Sequence, residues 1–482
     1  MADVDIAIIG GGAAGLSVAA VASQLGLKVA LVERGRMGGD CLNYGCVPSK
    51  ALLAAAHAAA SARRAGQYGV RLPPPEIDWA AVRAHVQGAI ARIAPMDSVA
   101  RFTGLGVEVI EASAHFTAPD EIEAGGRRLS FRRCVIAAGS AAVVPPLPGL
   151  EQVPWLTTET LVDQEDPPGH LLILGGGPIG LEMAQAHARL GCLVTVLEAA
   201  PSVAAREDAA LVAPLRAALA AEGVMFREGV QVARVEPLDP ARPQGERGVV
   251  AVLEDGERLA GTHLLLAVGR APRLAGLDLA AGQVAHTPRG ISVGANLRSS
   301  SNRRVWAAGD IADIAGLGPR AFTHVASQHA GVLVRNMLFR LPAKVSYAAL
   351  PRVTYTEPEL CQVGLTAAEA TAAGHAPQVL DWHLAENDRA ISEGRTEGLA
   401  RLVLDAKGRL LGGGITAPHA GEMAGVLGLM LGRRLPLAAL AGLVVPYPTL
   451  AEALKRAAGS YYTPKLFGGF SRGLVRALRW LP

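Results

Sequence analysis

The sequence predicts an α/β protein with two Rossmann-like dinucleotide-binding domains followed by a C-terminal α+β domain, and three observations carry that prediction. Near the N-terminus a short apolar strand (Asp5–Ile9) runs into Gly10-Gly-Gly-Ala-Ala-Gly15, a helix (Leu16–Leu25) and a second strand (Lys28–Val32) that ends at Glu33. The same unit returns about 165 residues later: Leu171–Leu174, Gly175-Gly-Gly-Pro-Ile-Gly180, a helix to Leu190, and Leu193–Leu197 ending at Glu198. From about Val345 the pattern changes to strands at Arg352–Thr356 and Ala400–Leu404 with helices at Ala367–Ala373 and Ala420–Leu431. Pro145-Pro-Leu-Pro-Gly149 and Asp166-Pro-Pro-Gly169 punctuate the crossing between the first two regions, and Arg304–Ala308 is a further strand ending at Gly309-Asp310.

Composition agrees with that plan. A chain of 482 residues, half of them hydrophobic, is long enough for about three domains with substantial cores. A net charge of +3 and an aromatic fraction of 4% argue against nucleic acid as a partner. The uncharged run 435–451 is broken by Pro436, Pro446 and Pro448, so no spanning helix is expected there. The opening MADVDIAIIGGG lacks the charge order of a signal peptide, and five cysteines require no disulfide framework. The expected setting is cytoplasmic and reducing.

Each glycine loop has the context that a bare G-x-G-x-x-G lacks. Gly10, Gly12 and Gly15, like Gly175, Gly177 and Gly180, sit between a strand and a helix, and an acid follows at the end of the next strand. Gly12 and Gly177 would let the backbone approach a pyrophosphate lying against the free N–H groups of a helix N-terminus. Pro178 suits a first helical turn. Glu33 and Glu198 would each bond a ribose diol, and a carboxylate at Glu198 repels a 2′-phosphate, so NADH is expected over NADPH. The alternative is a pair of ordinary tight βα turns. Two dinucleotide sites in one chain point to hydride transfer between NAD(H) and a flavin.

Cys41-Leu-Asn-Tyr-Gly-Cys46 places two cysteines just after Glu33, beside whatever the first loop holds. Pro48 and Lys50 precede an Ala/Leu-rich helix, Ala51–Ala62, and a helix N-terminus with a nearby lysine is expected to lower a thiol pKa. The spacing is wrong for zinc and no partner pair accompanies it, so a redox-active dithiol is favoured over a structural pair, and no metal site is assigned. Cys134, Cys192 and Cys361 lie in apolar surroundings and are expected to be core residues.

The run Gly38-Gly-Asp-Cys-Leu-Asn-Tyr-Gly-Cys-Val-Pro-Ser-Lys50 resembles the redox signature of the class I pyridine nucleotide-disulfide oxidoreductases, FAD enzymes that include dihydrolipoamide dehydrogenase, glutathione reductase and mercuric reductase. Cys134–Ser140, with Gly139, and Ala267–Arg273, with Gly269 and Arg270, resemble the family's segments around the NAD domain. Trp306-Ala-Ala-Gly309-Asp310 resembles its second FAD motif, and Arg352–Thr366 the start of its interface domain. The resemblance implies a homodimer in which 1–150 and 271–344 bind FAD, 151–270 bind NAD(P), and 345–482 form the dimerisation domain. It implies that Cys41 is the interchange thiol and Cys46 the flavin-side thiol. Lys50 would pair with Glu182, and Asp310 would bond the ribityl chain. Pro178 stands where many members carry a gating tyrosine.

One departure bears on substrate. Disulfide-exchanging members carry His-Pro-Thr-x-x-Glu, whereas this chain has Tyr447-Pro-Thr-Leu-Ala-Glu452. A phenol of reference pKa about 10 is a poor base at neutral pH, where an imidazole at about 6.5 works well. Mercuric reductases resemble this chain in having tyrosine there, which favours a soft-metal–thiolate or small thiol or disulfide substrate. They also tend to carry a vicinal cysteine pair near the C-terminus and to use NADPH, and no cysteine follows Cys361 here. A dihydrolipoamide dehydrogenase with a lipoyl partner is the second reading, and a flavin redox-sensing or assembly subunit the third. Residues 466–482 place Phe467, Phe470, Leu474, Leu478 and Leu481 at helical spacing, with Arg472, Arg476 and Arg479 on other faces. Packing on the dimer is the favoured expectation for that stripe, and peripheral contact with an anionic membrane the alternative.

Overall fold

The computed structural model describes residues 2–161 and 163–481, arranged as two compact units. The first comprises Met1–Gly175, Leu190–Cys192 and Val232–Ser346, and the second Gly176–Arg189, Leu193–Gln231 and Tyr347–Pro482.

The first unit is organised by a parallel sheet in the order Val107–Glu111, Val29–Glu33, Val4–Ile9, Arg127–Ile136, Val305–Ala307. Val4–Ile9 is buried on both faces, which is why it reads as an unbroken apolar run. The chain leaves it on one side through the helix Ala13–Gln24 to Val29–Glu33, while Arg127–Ile136 lies on its other side. The winding direction therefore reverses at Val4–Ile9, and the loops after it and after Arg127–Ile136 open the crevice where such sheets bind ligands. Two antiparallel strands, Ala114–Ala118 and Glu121–Ala124, extend Arg127–Ile136. Their alternation is too short to have stood out in the sequence. His170–Leu174, His263–Leu266 and Trp155–Leu156 form a second parallel set, beside an antiparallel trio Val232–Pro237, Val249–Leu253 and Arg258–Gly261.

In the second unit the helix Pro178–Arg189 leads towards the parallel strands Leu193–Glu198 and Met225–Glu228. Its C-terminal region is an antiparallel sheet in the order Pro351–Thr354, Glu359–Gly364, Leu410–Ala417, Leu399–Leu404, Gln378–His383. The helices Ala420–Gly432 and Glu452–Ser460 cover it, burying Leu402, Ile415, Leu427 and Leu454 completely or nearly so. Cys134, Cys192 and Cys361 are buried, as expected of small core residues.

Two expectations need correction. The helix after the cysteine pair spans Cys46–Arg64 and starts five residues before the expected Ala51. Pro48 is its third residue, where the missing N–H is one that a helix start leaves without an intrahelical acceptor, so proline does not delay the helix. The tail is two helices, Thr463–Leu466 and Gly469–Leu478, interrupted at Gly468. Among the described residues no helix is long and apolar enough to cross a membrane.

Candidate active site

The two glycine loops divide their labour in the same way. A Cβ at Gly10 would lie 2.3 Å from the Ala137 carbonyl oxygen, and one at Gly175 2.5 Å from that of Ala267. One at Gly15 would lie 1.9 Å from the Gly10 oxygen. These positions are glycine because the fold's own strands and helix come too close for a side chain. Gly12 and Gly177 are different: nothing lies nearer than 3.8 Å to a Cβ at Gly12, and nothing within 4 Å of one at Gly177. Packing makes no demand there, so the open space is what an approaching pyrophosphate would fill. Gly12 caps the helix Ala13–Gln24 with no side-chain hydrogen bond, leaving N–H groups for an anion. Gly180 is buried within the helix Pro178–Arg189.

Glu33 and Glu198 brace these loops. Glu33 Oε2 accepts from the Gly11 N–H at 2.6 Å and Oε1 from Gly35 at 2.7 Å. Glu198 repeats the arrangement with Gly176 at 2.6 Å and Ala200 at 2.7 Å. A carboxylate has about four lone-pair sites, so each retains capacity for a ribose diol.

Asp310 follows the strand Val305–Ala307, at the same end of the first sheet as Gly10. Ser140 Oγ donates to Asp310 Oδ2 at 2.6 Å, Arg270 Nε donates to Ser140 Oγ at 2.8 Å, and Arg270 Nη2 lies 3.0 Å from Asp40 Oδ1. Burial raises the Asp310 carboxyl above the usual range, and the Ser140 bond opposes it. Gly139, Gly269 and Gly309 take positive φ values of 68°, 130° and 74° and turn the chain tightly enough to bring these side chains together. The open cradle at Gly12, the uncapped helix start and the half-buried Asp310 fit FAD in the first unit.

The two signature cysteines meet. Cys46 opens the helix Cys46–Arg64, and Lys50 lies one turn further on the same face. Cys41 sits in the short helix Gly39–Asn43 and hydrogen-bonds Cys46. Its thiol is raised well above the usual range by that bond and then by burial, against the lowering expected from sequence. The reason is local: Cys46, not Cys41, occupies the long helix's N-terminus, and adjacent thiols resist losing a second proton. Thr323 Oγ1 is 3.5 Å from Cys46 Sγ and also hydrogen-bonds Cys41.

In the second unit Glu182 is buried and accepts from the Tyr355 N–H at 3.0 Å. Lys50 and Glu182 belong to different units. Tyr447 is exposed and donates from its hydroxyl to Asp388 Oδ2 at 3.0 Å, not to Glu452. The Asp388 bond and charge, with a smaller contribution from Glu452, raise its pKa above the ordinary phenol value. Glu452 begins the helix Glu452–Ser460 and lies 3.9 Å from Arg456.

Asp388, Thr323 and His329 were not singled out in the sequence. His329 Nδ1 accepts from the Gly309 N–H at 3.1 Å, and burial holds it down to about 4, so it is a neutral acceptor fixing the turn before Asp310. Thr323 lies 277 residues from Cys46, Asp388 59 from Tyr447 and His329 20 from Gly309, so no local spacing marked them.

The family model described as pyridine nucleotide-disulphide oxidoreductase matches residues 4–330, and that of the pyridine nucleotide-disulphide oxidoreductase dimerisation domain matches residues 350–458. The chain is 35% identical to a mercuric reductase of Streptomyces lividans over 95% of its length and 96% of that protein's. It is also 35% identical to a dihydrolipoyl dehydrogenase of Thermus scotoductus over 94% of this chain and 96% of that one. Among solved structures, the Cu(II) complex of the HOCl-induced flavoprotein disulfide reductase RclA from Escherichia coli superposes with a TM-score of 0.82 at 25% identity, covering 94% of this chain and 99% of that one. With both family domains matched over most of its length, the chain belongs to the pyridine nucleotide-disulphide oxidoreductases, FAD-dependent enzymes that use NAD(P)H.

Proposed function

We propose that the protein is an NADH-dependent reductase that delivers electrons through Cys41 and Cys46 to a soft-metal–thiolate or small thiol substrate. The observation that carries the proposal is Tyr447, a hydroxyl held on Asp388 where disulfide-exchanging relatives have an imidazole. In this reading residues 1–150 and 271–344 hold FAD, 151–270 hold the nicotinamide nucleotide, and 345–482 join two copies of the chain.

FAD, when bound, supplies two-electron transfer between the nicotinamide and the dithiol. Gly12 with the helix Ala13–Gln24 would hold its pyrophosphate, Glu33 its ribose, and Asp310 its ribityl chain. Gly177 and Glu198 would do the same for NADH, with Glu198 repelling a 2′-phosphate. Two electrons and two protons open the Cys41–Cys46 disulfide to two thiols. Cys46, at a helix N-terminus that favours negative charge, would face the flavin, and Cys41 would meet substrate. Lys50, one turn into the helix Cys46–Arg64, would keep a cation near the dithiol. Thiolate sulfur is a fitting ligand for a soft ion, which on binding would displace the two thiol protons to solvent and, on taking the pair's two electrons, would leave the Cys41–Cys46 disulfide re-formed, with no imidazole needed to hold a proton.

The Glu198 carboxylate favours a second reading, a dihydrolipoamide dehydrogenase acting on a lipoyl protein, since it selects NAD. The two separate in one assay: oxidation of NADH and NADPH by FAD-loaded protein with Hg(II)–thiol complexes or lipoamide as acceptor. NADH oxidation with mercury and little with lipoamide is expected. Brisk lipoamide turnover would transfer the assignment to the second reading, and preference for NADPH would remove the role given to Glu198.

A further inference from the structure

The end of the chain has a surface that neither dinucleotide chemistry nor dithiol chemistry uses. The helix Gly469–Leu478 buries no residue, and every residue from Arg472 to Leu481 is exposed. Phe470 is 85% exposed and Trp480 79%, exposures that a large aromatic seldom keeps without a partner. At about 100° per residue, Phe470, Leu474 and Leu478 fall within an arc of about 80°, and Arg472, Arg476 and the C-cap Arg479 within an arc of about 60° on the opposite side, with Val475 between the two. Within the helix the arginines are thus kept apart from Phe470, Leu474 and Leu478.

The root of this segment is tied down. Tyr461 and Tyr462 pack edge to face, 5.1 Å between ring centroids, against the core of the second unit. Lys465 Nζ lies 4.7 Å from the Tyr461 ring centre, and Ser471 Oγ donates to the Lys465 carbonyl at 2.8 Å, bridging the break at Gly468. Arg479 stacks on Trp480 at 4.8 Å. Charge selects the occupant of the apolar face. After Glu452 the chain has no acid, while Lys455, Arg456, Lys465, Arg472, Arg476 and Arg479 are all cationic. A second tail would bring like charge to like charge. An anionic bilayer offers acyl chains to one face and headgroup phosphates to the other, with the tryptophan at the boundary where such rings are favoured.

We propose that residues 463–481 form an amphipathic anchor that lays the enzyme on an anionic lipid surface. The test floats the FAD-loaded full-length protein with phosphatidylcholine vesicles that do or do not contain phosphatidylglycerol. The protein is expected to float with the anionic vesicles, to sink with the neutral ones, and to be released by high salt as the charges are screened. Replacing Arg472, Arg476 and Arg479 by glutamine is expected to weaken partitioning roughly five-fold per cation. The pair Phe470→Ser and Leu474→Ser is expected to abolish flotation while FAD content and oligomeric state are unchanged. Failure of the wild type to float with either vesicle would overturn the proposal. So would flotation of the serine pair at the wild-type level, or loss of the dimer in that pair, which would assign the face to a second copy.

Discussion

At the scale of single residues, Tyr447 stands where the family resemblance leads one to expect a histidine in disulfide-exchanging members. Its hydroxyl donates to a carboxylate, and two acids nearby raise its pKa, so it keeps its proton throughout the neutral range. Positioned acid–base groups contribute about 10²–10⁴ in rate, and a phenol so placed forgoes most of that. Tyr447→His is therefore expected to raise lipoamide turnover roughly ten- to hundred-fold. Because only neutral imidazole acts as a base, the gain should appear as pH rises through about 6.5, an inflection absent from the wild type. A variant with no gain at any pH would show that the residue here does not limit exchange. The opposite lesson comes from Cys41: sequence placed the pair near a helix start, yet the structure gives that start to Cys46.

At the scale of elements, local chemistry and tertiary packing are separable. The helix Ala367–Ala372 ends its N-terminus in a complete capping box: Thr366 Oγ1 accepts from the Glu369 N–H at 3.1 Å, and Glu369 Oε2 accepts from the Thr366 N–H at 2.8 Å. Thr366→Ala is expected to cost about 1 kcal/mol, read by chemical denaturation, with nicotinamide oxidation in the folded enzyme unaltered. A change below a few tenths would mean that sheet contacts alone hold this helix. Such strong local patterns made the strands Pro351–Thr354 and Leu399–Leu404 and the helix Ala420–Gly432 legible within a few residues, whereas the strand Glu359–Gly364 was not marked. The strands Ala114–Ala118 and Glu121–Ala124 carry no such pattern, since they exist by pairing with Arg127–Ile136.

At the scale of the whole molecule, buried histidines couple stability to pH. His187 and His329 are fully buried, and desolvation holds both down to about 4. Unfolded chains titrate near 6.5, so between about 6.5 and 4 the unfolded state binds more protons than the native one. The stabilisation is complete above 6.5 and is lost as pH falls towards 4. Apoprotein melting temperatures are expected to drop over that window, and His329→Gln, which retains an acceptor for Gly309, should flatten the drop. A profile identical to the wild type would show that His329 does not titrate on unfolding.

Sequence alone was enough for the duplicated strand–loop–helix unit, the acids that close each copy and the closeness of Cys41 to Cys46. Each is written in short-range spacing, because a tight turn, a helix start or a redox pair needs its residues within a few positions. Only the tertiary structure decided which glycines serve packing and which leave space for a ligand. It also decided that Asp310 is tied through Ser140 to Arg270, that His329 fixes the Gly309 turn, and that Asp388 holds Tyr447. Those partners are separated by 20 to 170 residues, and long-range proximity is set by how sheets and helices stack, which no local spacing records.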